Sequence, residues 1–197
     1  MKTFDPTSYG PVFAELLAVD RRRPLDAGHS DTRPAGALKN LSVEAAFAHV
    51  SEEVADLDMA ACCVSGVWLL HDCLDESHSI SQNIDTPSGS FWHGIMHRRE
   101  GDFSNAKYWF RRVGSHPVFD SLGQRAAELA AVRGDESAIK KLTTSGVFDP
   151  YAFVDLCQSV VRGKSDERDL CLDIQQAEWE LLFDFCYQAA IGIDHVR

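Results

Sequence analysis

The sequence contains no apolar segment as long as the ~20 residues that a membrane-spanning helix needs. Its longest apolar segment, residues 59–70, is too short, and the N-terminal residues lack the apolar region of a secretory signal. The six cysteines include no C-x-x-C pair, so we expect buried, reduced thiols rather than disulfides or zinc ligands. These absences favour a soluble, cytoplasmic protein with no membrane partner.

An excess of basic residues is also missing. The chain has 19 Lys and Arg residues against 30 Asp and Glu residues, which gives a net charge of −11. Binding to nucleic acid requires a basic surface that neutralises phosphates. No glycine-rich nucleotide-binding motif occurs either. We therefore expect no nucleic-acid partner.

Strand patterns are missing as well, because no segment alternates apolar and polar residues over a useful length. Helix-start signals recur instead. We predict an all-α fold of stacked antiparallel helical hairpins, or an irregular helical bundle, with an irregular N-terminal arm. The arm covers residues 1–40 and includes one short helix, from Pro11 to about Val19. Residues 41–197 form a single all-helical domain.

Two helices of this domain are expected to lie close to any site. The first starts at Asp56 or Asp58, is apolar on nearly all sides and continues to about Asp75, so it is the predicted central helix. A loop over residues 76–90 leads to the second helix, which starts at about Ser90 and ends near Gly101. Other predicted helix starts are Ser42, Asp102 or Ser104, Ser115 or His116 followed by Pro117, Asp135, Asp149-Pro150 and Ser165.

Turn residues recur along the second half of the chain. Gly101 recurs as Gly134, and Pro117 recurs as Pro150, each 33 positions further on. A period near 33 is typical of arrays of helix-turn-helix units. The pattern therefore favours stacked helical hairpins.

The first of these units is similar to the second half of a tetratricopeptide repeat, in which a small residue lets two helices approach and aromatic residues fill the groove. The second unit departs from that pattern, with Glu136 and Ile139 in place of the aromatic and the small residue. The resemblance covers residues 92–150 and implies stacked hairpins that bind a protein partner. The block from Trp92 to Gly114 also resembles a segment of uncharacterised proteins, which implies no activity. The matching repeat residues are Gly101, Phe103, Ala106, Phe110, Val113 and Pro117.

Histidine, tryptophan and basic residues are concentrated in residues 91–117. This block holds two of the four tryptophans and three of the eight histidines. His93, His97 and Glu100 lie at positions i, i+4 and i+7, so a helix would place them on one stripe. Two imidazoles one helical turn apart can bind one metal ion. The alternative is a polar face turned to solvent, opposite the apolar side of the same helix.

The predicted central helix repeats this spacing with His71, Asp75 and His78. Their stripe continues that of Leu57 and Trp68 and should be buried, where ionisable groups must be paired, neutralised or bound to metal. Facing helices with imidazoles and carboxylates would form a site for zinc, iron, manganese or nickel. The predicted metal ligands are His71, Asp75, His93 and His97, with Glu100 and His78 as catalytic acid–base groups.

Basic residues gather around the turn at Gly101. In a protein of net charge −11, they could clamp the carboxylate or phosphate of a small anionic ligand, since a guanidinium binds such groups through two hydrogen bonds. The alternative is pairing within the protein. The candidate internal partners are the carbonyls at helix C-termini and the carboxylates of Glu100, Asp102, Asp120 and Glu128. The predicted ligand-binding residues are Arg98, Arg99, Asn105, Lys107, Arg111 and Arg112.

Two functions follow from these patterns. The first is a metal-dependent enzyme, or a metal-binding protein, that acts on a small anionic ligand. A divalent transition metal would there polarise the ligand or activate water. The second is a tetratricopeptide-like module that binds a protein partner without catalysis and uses the aromatic block as its core. The metal content of the purified protein would separate the two.

Overall fold

The computed structural model describes residues 3–29, 36–50 and 53–193, apart from the side chain of Glu136, so residues 30–35 of the predicted arm lie outside the described residues. Over the described ranges the fold is all-α, as predicted, with ten α-helices and one short β-hairpin. Two 3-10 helices occur as well, at Pro6–Tyr9 and Gly36–Asn40. The α-helices are α1 (Pro11–Leu16), α2 (Val43–Ala46), α3 (Leu57–Leu70), α4 (Leu74–Ser81), α5 (Pro87–Glu100), α6 (Phe103–Val113), α7 (Val118–Arg133), α8 (Glu136–Leu142), α9 (Pro150–Val161) and α10 (Arg168–Ala190). The antiparallel hairpin, which the sequence did not predict, pairs β1 (Thr143–Thr144) with β2 (Val147–Phe148).

Local signals place most of the helix starts where the sequence predicts them. The carboxylate of Asp102 accepts a hydrogen bond from the backbone N–H of Asn105 at the start of α6 (3.0 Å). Asp56 caps α3 in the same way through Met59 (3.0 Å). These contacts satisfy N–H groups that have no partner within the helix. Gly101 ends α5 with a φ of 91°, a left-handed conformation that glycine adopts without steric cost.

The predicted long central helix is wrong, because the chain turns at Asp72 and starts a new helix. Asp72 has a φ of 60°, a left-handed conformation that aspartate tolerates better than most residues. Consequently α3 ends before this residue, and the segment predicted as a loop over residues 76–90 contains the end of α4, to Ser81, and the start of α5, from Pro87. His71 and His78 therefore lie on different segments and share no helical stripe. The stripe is not uniformly buried either, since Leu57 is 67% exposed.

The centre of the fold is α5, in which every residue from Ser88 to Arg99 is buried. This helix packs against α3, α4 and α6, and α10 packs against α3 and α7. The approach of α5 to α3 is close at Gly66, where an added Cβ would lie 2.8 Å from the Trp92 ring. The burial of α5 on all sides places its polar residues inside the protein.

An irregular segment, residues 20–29, connects α1 to the rest of the fold through its arginines. Arg21 and Arg22 form ion pairs with carboxylates of α10, at 2.8 and 2.7 Å. Arg23 pairs with Asp72, the residue at which the chain turns between α3 and α4. These contacts join the N-terminal segment to the helices that surround α5.

The six cysteines are all buried and form no disulfide, as the sequence predicts. Burial raises the pKa of the Cys73 thiol to about 11, and the carboxylates of Glu76 and Asp72 act in the same direction. This thiol therefore stays protonated at neutral pH. No helix in the described ranges has the length and apolar character that crossing a membrane requires.

Candidate functional site

Three histidines come together where α4 and α5 pack. His78 lies in the last turn of α4, and His93 and His97 lie one turn apart on α5. One ring nitrogen from each of the three lies within 4.8 Å of the other two. The ring centroids of His78 and His93 are 4.6 Å apart, and those of His93 and His97 are 4.7 Å apart. We call these three residues the histidine cluster.

The histidines of α5 are inside the protein. His93 is 1% exposed and His97 is 5% exposed. The alternative interpretation of this stripe as a solvated polar face is therefore wrong for both. Glu100, the third residue of the stripe, has 53% of its side chain exposed. The first two residues of the stripe are therefore buried and the last one contacts solvent.

The proton on the His93 ring can be assigned from its neighbour Ser81. The hydroxyl of Ser81 donates to the backbone carbonyl of Ser77 (2.8 Å), because a carbonyl oxygen can only accept. That hydroxyl has one proton, so its oxygen accepts from Nδ1–H of His93 (2.7 Å). His93 therefore carries its proton on Nδ1, and Nε2 has a lone pair available.

The same assignment holds for His97. Its Nδ1–H donates to the carboxylate of Glu100 (2.9 Å), which can only accept. Its Nε2 lone pair accepts from the side-chain amide N–H of Asn105 (3.0 Å). A carboxylate that holds the second nitrogen of a histidine is the usual partner of metal-binding imidazoles, because it fixes the tautomer and increases the basicity of the ligand nitrogen.

The surroundings of His93 keep it neutral. Burial lowers its pKa to about 3, and the neighbouring His97 and His78 act in the same direction. At neutral pH this imidazole is therefore uncharged, which is the form that binds a metal ion. Solvent reaches the cluster from the side of His78, which is only partly buried.

Helix α6 closes the cluster on its other side. The ring of Trp109 lies 4.1 Å from that of His93, centroid to centroid. The guanidinium of Arg112 lies 5.0 Å from the centroid of the Trp109 ring, and it pairs with Asp85 at 2.8 Å. Asn105, one turn before Trp109, contacts His97 as described above. The contacts of Ser81 and Trp109 with His93 were not predicted, because they cross between helices and leave no local pattern; Trp109 was expected either to line the same cleft or to belong to the core.

Two of the predicted metal ligands lie outside the cluster. His71 follows the end of α3, and its Nε2 pairs with the backbone carbonyl of Leu16 (2.9 Å). Asp75 is exposed in the first turn of α4. The sequence predicted His71 and Asp75 on one helical stripe with His78. The turn at Asp72 interrupts that helix, so the three residues do not share one stripe. His78, predicted as a catalytic group, is instead the third imidazole of the cluster.

Arg98 and Arg99 were predicted to bind an anionic ligand, and the structure contradicts this. Arg98 is completely buried, forms two hydrogen bonds with Glu178 and lies 4.6 Å from the Phe153 ring centroid. Arg99 pairs with Asp72 (2.5 Å) and donates to three backbone carbonyls. The alternative of internal pairing is correct for these two, although their partners come from distant parts of the chain.

The remaining predicted ligand-binding residues do not converge. Lys107 pairs with Asp155 of α9 (2.5 Å), and Arg112 pairs with Asp85 in the turn before α5. Arg111 is exposed. Asn105 is the member of this set that the structure brings into contact with the histidine cluster.

A separate cleft of about 320 Å³ lies between the N-terminal residues and α10. The Tyr9 hydroxyl donates to Asp184 in its wall (2.8 Å), and Arg21 pairs with Glu180. These four polar side chains of the cleft therefore pair with one another. None of the histidines of the cluster lines this cleft.

Comparison with known proteins gave no match to a family model, to a curated protein or to a solved structure. The resemblance of residues 92–150 to a tetratricopeptide repeat therefore stays a prediction. The interpretation of the site depends on the chemistry of its residues.

Proposed function

We propose that the protein binds a divalent transition-metal ion through His78, His93 and His97. The observation that carries the proposal is the meeting of three ring nitrogens, one from each histidine, within 4.8 Å of one another. The contacts with Ser81 and Glu100 assign the ring proton of His93 and His97 to Nδ1. The Nε2 lone pair of His93 is then available, and that of His97 accepts a hydrogen bond from Asn105 that a metal ion would replace. A neutral imidazole with a free lone pair is the ligand form of histidine.

The number and type of ligands bear on the choice of metal and on its role. Imidazole nitrogens suit zinc, iron and nickel, whereas manganese prefers oxygen ligands. Three protein ligands leave at least one coordination position for another group, as in catalytic zinc sites. A metal ion in such a site acts as a Lewis acid on a small anionic ligand or on water. In this proposal Glu100 strengthens His97 as a ligand through its hydrogen bond to Nδ1, in place of the predicted role as a base.

Metal binding requires the cluster to contract. Ligand nitrogens about 2.0–2.1 Å from one ion are roughly 3.0–3.4 Å apart. The ring nitrogens of the cluster lie within 4.8 Å of one another, so a small inward movement of a side chain would bring them to that spacing. His78 is the partly buried member, so its side chain has room to make this movement.

Metal titration of protein purified without a histidine tag tests the proposal. We expect one equivalent of Zn²⁺ or Co²⁺ per chain, and a rise in melting temperature with added metal. His93→Asn retains a donor for Ser81, so it should stay folded and lose the metal. His78→Ala should lose it as well.

Two control variants define the site. His71→Gln removes a predicted ligand that the structure places outside the cluster, and His29→Gln removes an exposed histidine. Both should retain full metal binding. A folded wild-type protein that takes up no metal would refute the proposed function, and so would loss of binding in His71→Gln with retention in His78→Ala.

A further inference from the structure

Asn105 contacts the histidine cluster at Nε2 of His97, the ring nitrogen that the Glu100 contact leaves for a ligand. Its side-chain nitrogen lies 3.0 Å from Nε2 of His97 and donates a hydrogen bond to it. We propose that Asn105 is the fourth metal ligand and binds the ion through its amide oxygen. This inference rests on the proposed function, because it concerns the same site.

The distance fits two ligands of one ion. Ligand atoms bound to the same metal at about 2.0–2.1 Å are separated by roughly 3.0–3.4 Å. The amide atom nearest His97 is already at that separation. A half turn of the amide about its Cβ–Cγ bond exchanges the nitrogen and the oxygen, which are nearly equal in size. The oxygen then takes the position of a ligand without movement of the backbone.

The Asn105 amide can direct its N–H towards His97 in the metal-free site and its oxygen towards the ion in the metal-bound site. Without metal, the buried lone pair of His97 Nε2 needs a donor, and the amide N–H supplies it. With metal bound, that lone pair is used by the ion, and the adjacent group has to be an oxygen that faces positive charge. A carboxamide can satisfy both states, whereas an aliphatic side chain satisfies neither.

The backbone of Asn105 is held independently of its side chain. Its N–H donates to the capping carboxylate of Asp102 (3.0 Å), and the same carboxylate accepts from the hydroxyl of Ser104 (2.9 Å). The first turn of α6 therefore stays in place while the amide turns. The Trp109 ring, four positions further along α6, packs against the His93 ring with 4.1 Å between the centroids.

An amide oxygen is uncharged, so it is a weaker ligand than a small anion. We infer that a small anion such as azide enters the metal-bound site by displacing Asn105. The small anionic ligand of the proposed function would bind in the same way. Competition between the amide and the anion makes anion binding weaker in the wild-type protein than in a variant without the amide.

Cobalt(II) titration followed by visible absorption tests this role, with azide as the anion. Asn105→Ala should bind Co²⁺ at least about tenfold more weakly than the wild type. Its cobalt form should bind azide more tightly, by about tenfold or more, because no protein ligand competes. Asn105→Asp, which supplies a charged oxygen, should retain cobalt binding and bind azide more weakly than the wild type.

Asn83→Ala is the matched control, because Asn83 is exposed and donates to Ser79 at the end of α4, away from the lone pairs of the cluster. It should leave both affinities unchanged. If the wild-type protein binds no cobalt, the metal site itself is refuted. If cobalt binds but Asn105→Ala matches the wild type in cobalt and azide affinity, the metal site stands and Asn105 is not a ligand. Loss of cobalt in Asn105→Asp would also overturn the proposal.

Discussion

Arg98 of α5 and Glu178 of α10 form an ion pair in which neither side chain is reached by solvent. The guanidinium and the carboxylate meet through two hydrogen bonds, an arrangement with a strict geometry. Arg98 directly follows His97 in the chain. The pair therefore fixes the rotation of α5, and with it the direction in which His93 and His97 face.

Glu178→Gln should destabilise the protein by about 3–5 kcal/mol, because it leaves the buried charge of Arg98 without its counter-ion. The free energy of unfolding in guanidinium chloride at pH 7 measures this. Glu128→Gln is the control, since Glu128 pairs with Arg125 at the exposed surface, and it should cost about 1 kcal/mol or less. Equal losses of unfolding free energy in the two variants would show that burial does not increase the contribution of the Arg98–Glu178 pair.

Arg99 and Arg23 both pair with the carboxylate of Asp72, but substitution of Arg99 should destabilise the protein more than substitution of Arg23. Arg99→Lys removes the planar fork that serves Asp72 and three backbone carbonyls in the interior, so we expect a loss of about 3 kcal/mol. Arg23→Lys should cost about 1 kcal/mol or less, because the Arg23 side chain is 29% exposed. Urea unfolding of the two variants makes the comparison, and an Arg23→Lys variant as unstable as Arg99→Lys would contradict it.

The metal-free protein should lose stability as the pH falls from 6.5 towards 3. An unfolded histidine takes up a proton near pH 6.5, whereas His93 in the folded protein has a pKa lowered to about 3 by burial and by the facing His97 and His78. The unfolded chain therefore binds more protons in this window, and stability falls with the pH. The contribution of His93 should be about 2 kcal/mol between pH 7 and pH 5.

His93→Asn should reduce this dependence, because asparagine takes up no proton. Urea unfolding at pH 7 and pH 5, with a chelator present, gives the measurement. His29→Gln, which changes an exposed histidine, should retain the full dependence. If His93→Asn loses as much stability at pH 5 as the wild type does, His93 is not the group responsible.

Gly66 should not tolerate a side chain. In Gly66→Ala the new Cβ would lie 2.8 Å from two atoms of the Trp92 ring, so the ring or the helices must shift, at a cost of about 1–3 kcal/mol. Trp92→Phe removes those two ring atoms. The destabilisation of the double variant should therefore be smaller than the sum of the two single destabilisations, by a coupling of about 1 kcal/mol. Additive effects in thermal or urea unfolding would show that the close contact is relieved elsewhere.

Local sequence signals were sufficient for the fold class and most of the helix starts. Asp56, Asp102 and Asp149 cap helices through hydrogen bonds to residues two or three positions away, so the signal and its effect lie in the same short segment. Gly101 ends α5 for an equally local reason, its left-handed backbone. Glu100 was correctly placed one turn from His97, because a helix determines that spacing.

The sequence by itself determined that the chain is helical, that His93 and His97 share a helix face, and that its cysteines are buried. Only the tertiary structure decided which residue joins them. The turn at Asp72, held by arginines from two other segments, ends α3 and starts α4, which brings His78 rather than His71 to the cluster. The physical reason is that a buried carboxylate takes its conformation from partners distant in sequence, and such partners leave no pattern in the residues next to it.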